Sequence, residues 1–147
     1  MGSRCFFIGH RDTPDSAYPY LLDAVEAHIV RYGVTKFLVG GYGHFDAMAA
    51  RAVREKKQRY PEVRLIKLLA YYDPLRPPYD VNDFDGSLYP DGLETAPRRA
   101  AIVRANRYAV DNSQFMIAYV RHFGNSRDIY EYATQKMPVL NLADINQ

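Results

Sequence analysis

The 147-residue sequence predicts an α/β fold, a Rossmann-like doubly wound sandwich of about five mostly parallel strands with helices on both faces. Three observations carry that reading. Short apolar runs alternate with stretches of helical periodicity along the whole chain. The runs are apolar throughout instead of at every second residue, as befits strands covered on both faces. The turns that lead from strand to helix contain glycine, above all Gly40-Gly41-Tyr42-Gly43, which suits a sharp reversal of the backbone.

Each element has its own local reason. Arg4-Cys5-Phe6-Phe7-Ile8 reads as the first buried strand and stops at Gly9-His10-Arg11. A helix follows, with Tyr18, Leu22, Val25, Ile29 and Tyr32 on one face and Gly33 just past its end. Thr35 to Val39 is a second buried strand, and Phe45, Met48, Ala49, Ala52 and Val53 give the second helix its apolar stripe. Val63 to Ala70 is a third strand, interrupted by Arg64 and Lys67. Residues 71–96 carry prolines at 74, 77, 78 and 90 with turn residues between them, and read as one long loop without regular structure. Pro97 suits the first turn of a third helix reaching about Asn112. Gln114 to Val120, Ser126 to Lys136 and Pro138 to Leu142 then give a strand, a helix and a last short strand. No repeat or linker divides the chain, so a single domain with a loop at 71–96 is expected.

Composition narrows the function classes. Hydrophobic residues at 48% and charged residues at 24% describe a globular core, not a disordered chain. A net charge of +2 is too small for binding nucleic acid through bulk charge alone. No apolar run has the length of a membrane span and no signal-peptide pattern opens the sequence, so neither membrane nor export is expected. The single cysteine, Cys5, lies in an apolar run. It excludes an intramolecular disulfide and points to a core thiol in a reducing cytoplasm. Thirteen tyrosines without a tryptophan suggest stacking or interface surface, a homo-oligomer included, although tyrosine also serves ordinary half-buried positions.

In a doubly wound sheet, ligands bind beyond the carboxyl ends of the strands, so the residues just after each strand are the ones to inspect. Gly40, Gly41, Tyr42 and Gly43 lead into a helix, the local pattern of an anion-binding turn, although a tight turn binding nothing has the same sequence. Arg11 suits a phosphate, and its alternative is a salt bridge to Asp12 or Asp15. His10 could bond a sugar or base, or be held by backbone carbonyls at the strand end. Gly124-Asn125-Ser126 is a second candidate cradle in which Asn125 or Ser126 also reads as a helix N-cap. Asp46 falls in the first turn of its helix, where the helix dipole favours an acid. Beside a ligand it would accept hydrogen bonds from sugar hydroxyls or a base amine.

On the third helix, with Ile102 taken as the buried centre, Arg98 lies about 40° away while Arg107 and Arg104 lie about 140° and 160° away. Arg98 is therefore expected to face the cleft and the other two to face solvent. Asn106, also about 40° off that centre, is an inward polar group that needs a partner.

The opening strand ending in "GHR", the "GGYGHFD" turn and the segment "RRAAIVRANRYAVDNSQFMIAY", in that order, resemble the SLOG superfamily. That Rossmann-like group unites the DNA-processing protein DprA, the cytokinin-activating LOG enzymes and the small YpsA-like proteins. The resemblance is strongest to the short YpsA-like members and covers nearly the whole chain. It implies a nucleotide-derived ligand held by Gly9 and Arg11, Gly40 to Asp46, and the Gly124 to Ser126 turn.

The expected function is thus binding of a nucleoside monophosphate, an ADP-ribose-like compound or a cyclic signalling nucleotide, as sensor or sequestering module. A LOG-type phosphoribohydrolase is the alternative, with Asp46 and Asp128 as candidate catalytic carboxylates. The turn corresponding to the LOG "PGGxGTxxE" loop reads His122-Phe123-Gly124-Asn125-Ser126-Arg127-Asp128 here, without that glutamate. Single-stranded nucleic-acid binding of DprA type is a second alternative. It is weakened because Tyr79 and Tyr89 stand among Asp80, Asp83, Asp85, Asp91 and Glu94. No Walker sequence and no metal-ligand spacing is present, and no cofactor is expected.

Overall fold

The computed structural model describes residues 2–41, 43–71 and 83–145. Six strands form one parallel sheet: β1 (Ser3–Gly9), β2 (Val34–Val39), β3 (Arg64–Leu68), β4 (Gly86–Leu88), β5 (Phe115–Tyr119) and β6 (Val139–Asn141). Among the described residues four α-helices join them, α1 (Tyr18–Tyr32), α2 (His44–Lys57), α3 (Arg98–Asp111) and α4 (Asn125–Thr134). The spatial order is β4-β3-β2-β1-β5-β6 with every neighbouring pair parallel.

Pleating splits the strand side chains between two cores. Cys5, Phe7, Phe37, Val39, Leu65 and Ile117 face α1 and α2, meeting Leu21, Val25, Phe45, Met48 and Val53. Phe6, Ile8, Leu38, Leu68, Met116 and Ala118 face α3 and α4, meeting Ala101, Ala105, Ala109, Ile129 and Ala133. Helices on both faces of a parallel sheet explain why the strands carry no polar alternation. The chain winds outward from β1 to β4, then crosses back to place β5 on the other side of β1. Strand order therefore reverses between β1 and β5, which opens a crevice at their carboxyl ends.

Two sequence expectations are corrected. The 71–96 segment is not wholly irregular: Gly86–Leu88 forms β4, so the sheet has six strands instead of about five. Gly-Ser-Leu has little intrinsic strand preference. Its pairing comes from the neighbouring strand, through Leu69 N–H donating to Leu88 O (2.8 Å) and Asp85 N–H to Leu65 O (2.9 Å). The buried stripe of α1 is also rotated from the one the sequence predicts. Leu21, Ala24, Val25 and His28 are buried, whereas Tyr32 is 49% exposed. His28 fits inside because its Nδ1 lies 2.7 Å from Ala24 O and satisfies one ring nitrogen. By contrast, all five residues predicted for the stripe of α2 are buried.

Candidate functional site

The strand-order reversal sits beneath a cleft of about 140 Å³ lined by the end of β1 (Phe6 to Gly9), by Arg11, Gly40 and Asp46, by Ile102 and Asn106 of α3, and by Asn125 and Ser126 of α4. Close packing builds it. A Cβ at Gly9 would lie 2.3 Å from the Phe45 ring, so only glycine lets α2 seat its first buried aromatic against β1. A Cβ at Gly43 would lie 2.8 Å from Arg11 Cγ and 3.1 Å from Arg11 Cα, so the turn into α2 rests directly on the Arg11 backbone. Gly124 is the N-cap of α4 at φ 143°, a backbone that other residues rarely adopt. The first turn of α4 is tied to β1 by Ser126, whose hydroxyl donates to Gly9 O at 3.0 Å. The N-cap is thus Gly124 rather than Asn125 or Ser126, and no side chain caps that helix.

Arg11 is exposed on the rim of the cleft. The two carboxylates offered as its structural partners turn elsewhere. Asp15 Oδ1 is 2.5 Å from His44 Nε2, and Asp12 Oδ1 is 3.5 Å from His122 Nε2. Among the described residues no carboxylate lies within ion-pair distance of the Arg11 guanidinium. Asp46 is half-buried and lines the same cleft from the first turn of α2.

His10 does not line the cleft but supports it. The ring is buried, and its Nε2 accepts hydrogen bonds from the Arg121 N–H (2.8 Å) and the His122 N–H (3.3 Å). The sequence offered backbone carbonyls as its partners; the structure supplies backbone N–H groups, so the neutral ring carries its proton on Nδ1. The His122 ring stacks on it at 3.6 Å between centroids. Burial, then the neighbouring His122, pushes the His10 pKa below the usual histidine value, and Asp12 opposes them. The ring is therefore a neutral acceptor that fixes the segment leading into α4.

Other predicted residues stand apart. Arg98 is exposed, and its guanidinium lies 4.1 Å from the Tyr71 ring centroid, outside the cleft lining. The sequence expected Arg98 to face the cleft; the residues of α3 that line it are Ile102 and Asn106. Arg98 stands in the first turn of α3, one and two turns before those residues. Asp128 is exposed and outside the lining, and Gly41 lies at the surface of the turn. Tyr42 lies outside the described residues.

The sequence reading passed over Lys67, which lies beside the glycine turn though not in the cleft lining. Its ammonium lies beside Gly41, within the field of Asp46. Its one signal was a charge set into an apolar strand near the carboxyl end.

Among the described residues no group of metal-binding side chains is assembled, and no helix is long and apolar enough to cross a membrane. The fold and cleft define a parallel α/β sandwich with a pocket of mixed polar and apolar lining at its strand-order reversal. The sequence matches no protein-family model, and no curated protein is significantly similar to it.

Proposed function

We propose that the protein binds a small nucleotide-derived ligand in this cleft, as a sensor or sequestering module. The observation that carries the reading is Arg11, a rim cation whose neighbouring aspartates turn to other side chains, Asp15 to His44 and Asp12 towards His122. A guanidinium placed this way suits a phosphate oxygen pair. The resemblance to the SLOG superfamily supports the same ligand class. A cavity of about 140 Å³ compares with the cavities on the order of 150 Å³ that admit one benzene-sized ring. The sugar then enters the cleft, the phosphate faces Arg11, and the base lies over the rim. Asp46 accepts from the sugar hydroxyls, and Asn106 and Asn125 supply amides that neutral groups can use.

Thermal-shift measurements against nucleoside monophosphates, dinucleotides and cyclic nucleotides test the proposal. A ligand at one hundred times its Kd stabilises the fold by about 2.7 kcal/mol. A well-folded sample that responds to none of them refutes it.

One observation favours N-glycosidic hydrolysis as a second reading: a half-buried carboxylate, Asp46, lines the cleft. A positioned carboxylate contributes about 10²–10⁴-fold to such a step. Incubation with nucleoside monophosphates, followed by chromatography of the free base, separates the two. Base release lost in Asp46→Asn but kept in Asp128→Asn establishes the enzyme. No release leaves the binder.

A further inference from the structure

Lys67 lies one residue before the end of β3, in a strand that is otherwise apolar after Arg64, and its side chain is half-buried. The ammonium lies against the Gly40–Gly43 turn: a Cβ on Gly41 would come 2.2 Å from Lys67 Nζ. The Phe84 ring centroid is 5.1 Å from the ammonium. Burial holds this amine below the ordinary lysine range; Asp46 counteracts the shift and Arg54 adds to it. Among the described residues no carboxylate comes within ion-pair distance of Nζ. A half-buried charge held only at longer range is costly unless something bound offsets it. Arg11 packs against the opposite end of the same turn, at Gly43.

We propose that Lys67 and Arg11 form a two-cation clamp astride the glycine turn, and that the group they hold is a doubly charged phosphomonoester. This rests on the nucleotide-ligand reading and narrows it, away from cyclic and other singly charged phosphodiesters. Charge balance carries the argument. Asp46 and Arg11 alone leave the cleft neutral, and a phosphate dianion gains nothing from approaching a carboxylate. Lys67 offsets Asp46, and with Arg54 also in its field the surroundings of the turn carry net positive charge. Gly41 belongs to the same device, because any side chain there would evict the ammonium.

The test is calorimetric titration of wild type, Lys67→Met, Lys67→Arg and Gly41→Ala with ribose 5-phosphate, with the four common nucleoside monophosphates and with the matching nucleosides. Lys67→Met is expected to weaken the phosphorylated probes by about ten- to thirtyfold, and the nucleosides by less than about twofold. Lys67→Arg restores most of the loss. Gly41→Ala, whose backbone is not in the left-handed region, reproduces part of it with the lysine still present. Lys67→Met and Gly41→Ala that both bind the phosphorylated probes as tightly as wild type overturn the clamp and leave the ligand reading standing. Wild type that binds none of the probes overturns the clamp, and overturns the ligand reading as well only if dinucleotides and cyclic nucleotides also fail to bind.

Discussion

Arg11 shows how much one residue's role depends on where its neighbours turn. Asp12 and Asp15 are close to it in sequence, yet their carboxylates turn towards His122 and His44, leaving the guanidinium on the cleft rim. Arg11→Met is therefore expected to weaken nucleotide binding by about ten- to a hundredfold, the worth of a charge-assisted hydrogen bond. Arg98→Ala and Arg104→Ala, both at exposed positions, should change it by less than about threefold, as screened surface charges do. Calorimetry across the three variants decides; an Arg98→Ala loss as large as that of Arg11→Met would extend the site over the start of α3. Gly9 makes a separate point. Gly9→Ala would place a methyl group 2.3 Å from a buried ring. Overpacking of that kind costs about 1–3 kcal/mol, and a urea melt that leaves stability unchanged would show that Phe45 can step aside.

At the scale of elements, the segment entering α4 is held by contacts that no local preference supplies. His10 Nε2 collects two backbone N–H groups, and Ser126 bonds the last residue of β1. Ser126→Ala should cost about 1 kcal/mol, the net value of an ordinary hydrogen bond. His10→Phe should cost about 1–3 kcal/mol by leaving two N–H groups without an acceptor. Protonation of His10 must break the same bonds. Its native pKa is depressed by burial and by His122, and that of His28 by burial. The folded state thus binds fewer protons than the unfolded chain, and stability rises with pH across this range. The contribution is complete above the unfolded value of about 6.5 and is lost as pH falls through the depressed native values. Urea midpoints at pH 7.5, 6.5 and 5.5 should fall in that order, less steeply in His10→Phe. A flat profile for wild type would contradict the assignment of His10 as a buried neutral acceptor.

For the whole molecule, acid unfolding should proceed in two stages, the histidines first and the carboxylates second. Asp111 is held low by hydrogen bonds from Lys136 and Tyr132. Asp85 is also held low: burial would raise it, but the Leu65 N–H and Lys57 overcome that. Because depressed carboxylates lose their contribution only as pH falls through their native values, the second stage lies below about pH 4. The core thiol gives an independent readout. Cys5 is fully buried between β2 and β5, and burial pushes its pKa far above the cysteine range. A thiol reagent should therefore label it only at the rate of unfolding. Labelling as fast as that of a free thiol at neutral pH would mean that β1 opens locally.

Much of this architecture was legible in the chain itself. Runs such as Cys5 to Ile8 and Phe37 to Val39 are apolar without alternation, and that pattern alone requires a sheet covered on both faces. The 3.6-residue recurrence from Phe45 to Val53 fixed the inner face of α2, and the short-range rules of turns picked out Gly9, Gly40, Gly43 and Gly124. These features are local, so periodicity and backbone preference are enough to read them. What the local rules left open was decided by packing between distant segments. β4 exists because β3 offers it an unpaired edge, not because Gly86-Ser87-Leu88 prefers to be extended. Arg98 and Asn106 lie about 40° to opposite sides of Ile102 on α3, and only Asn106 lines the cleft. His10 became a support instead of a ligand contact when residues 121 and 122 brought their N–H groups to its ring. Lys67 gained meaning only when Gly41 and Asp46 were placed beside it. Sequence determines which faces must be buried, because burial follows from side-chain chemistry at fixed spacing. Which polar groups meet at the carboxyl edge depends on crossovers dozens of residues long, and only the assembled sheet sets those distances.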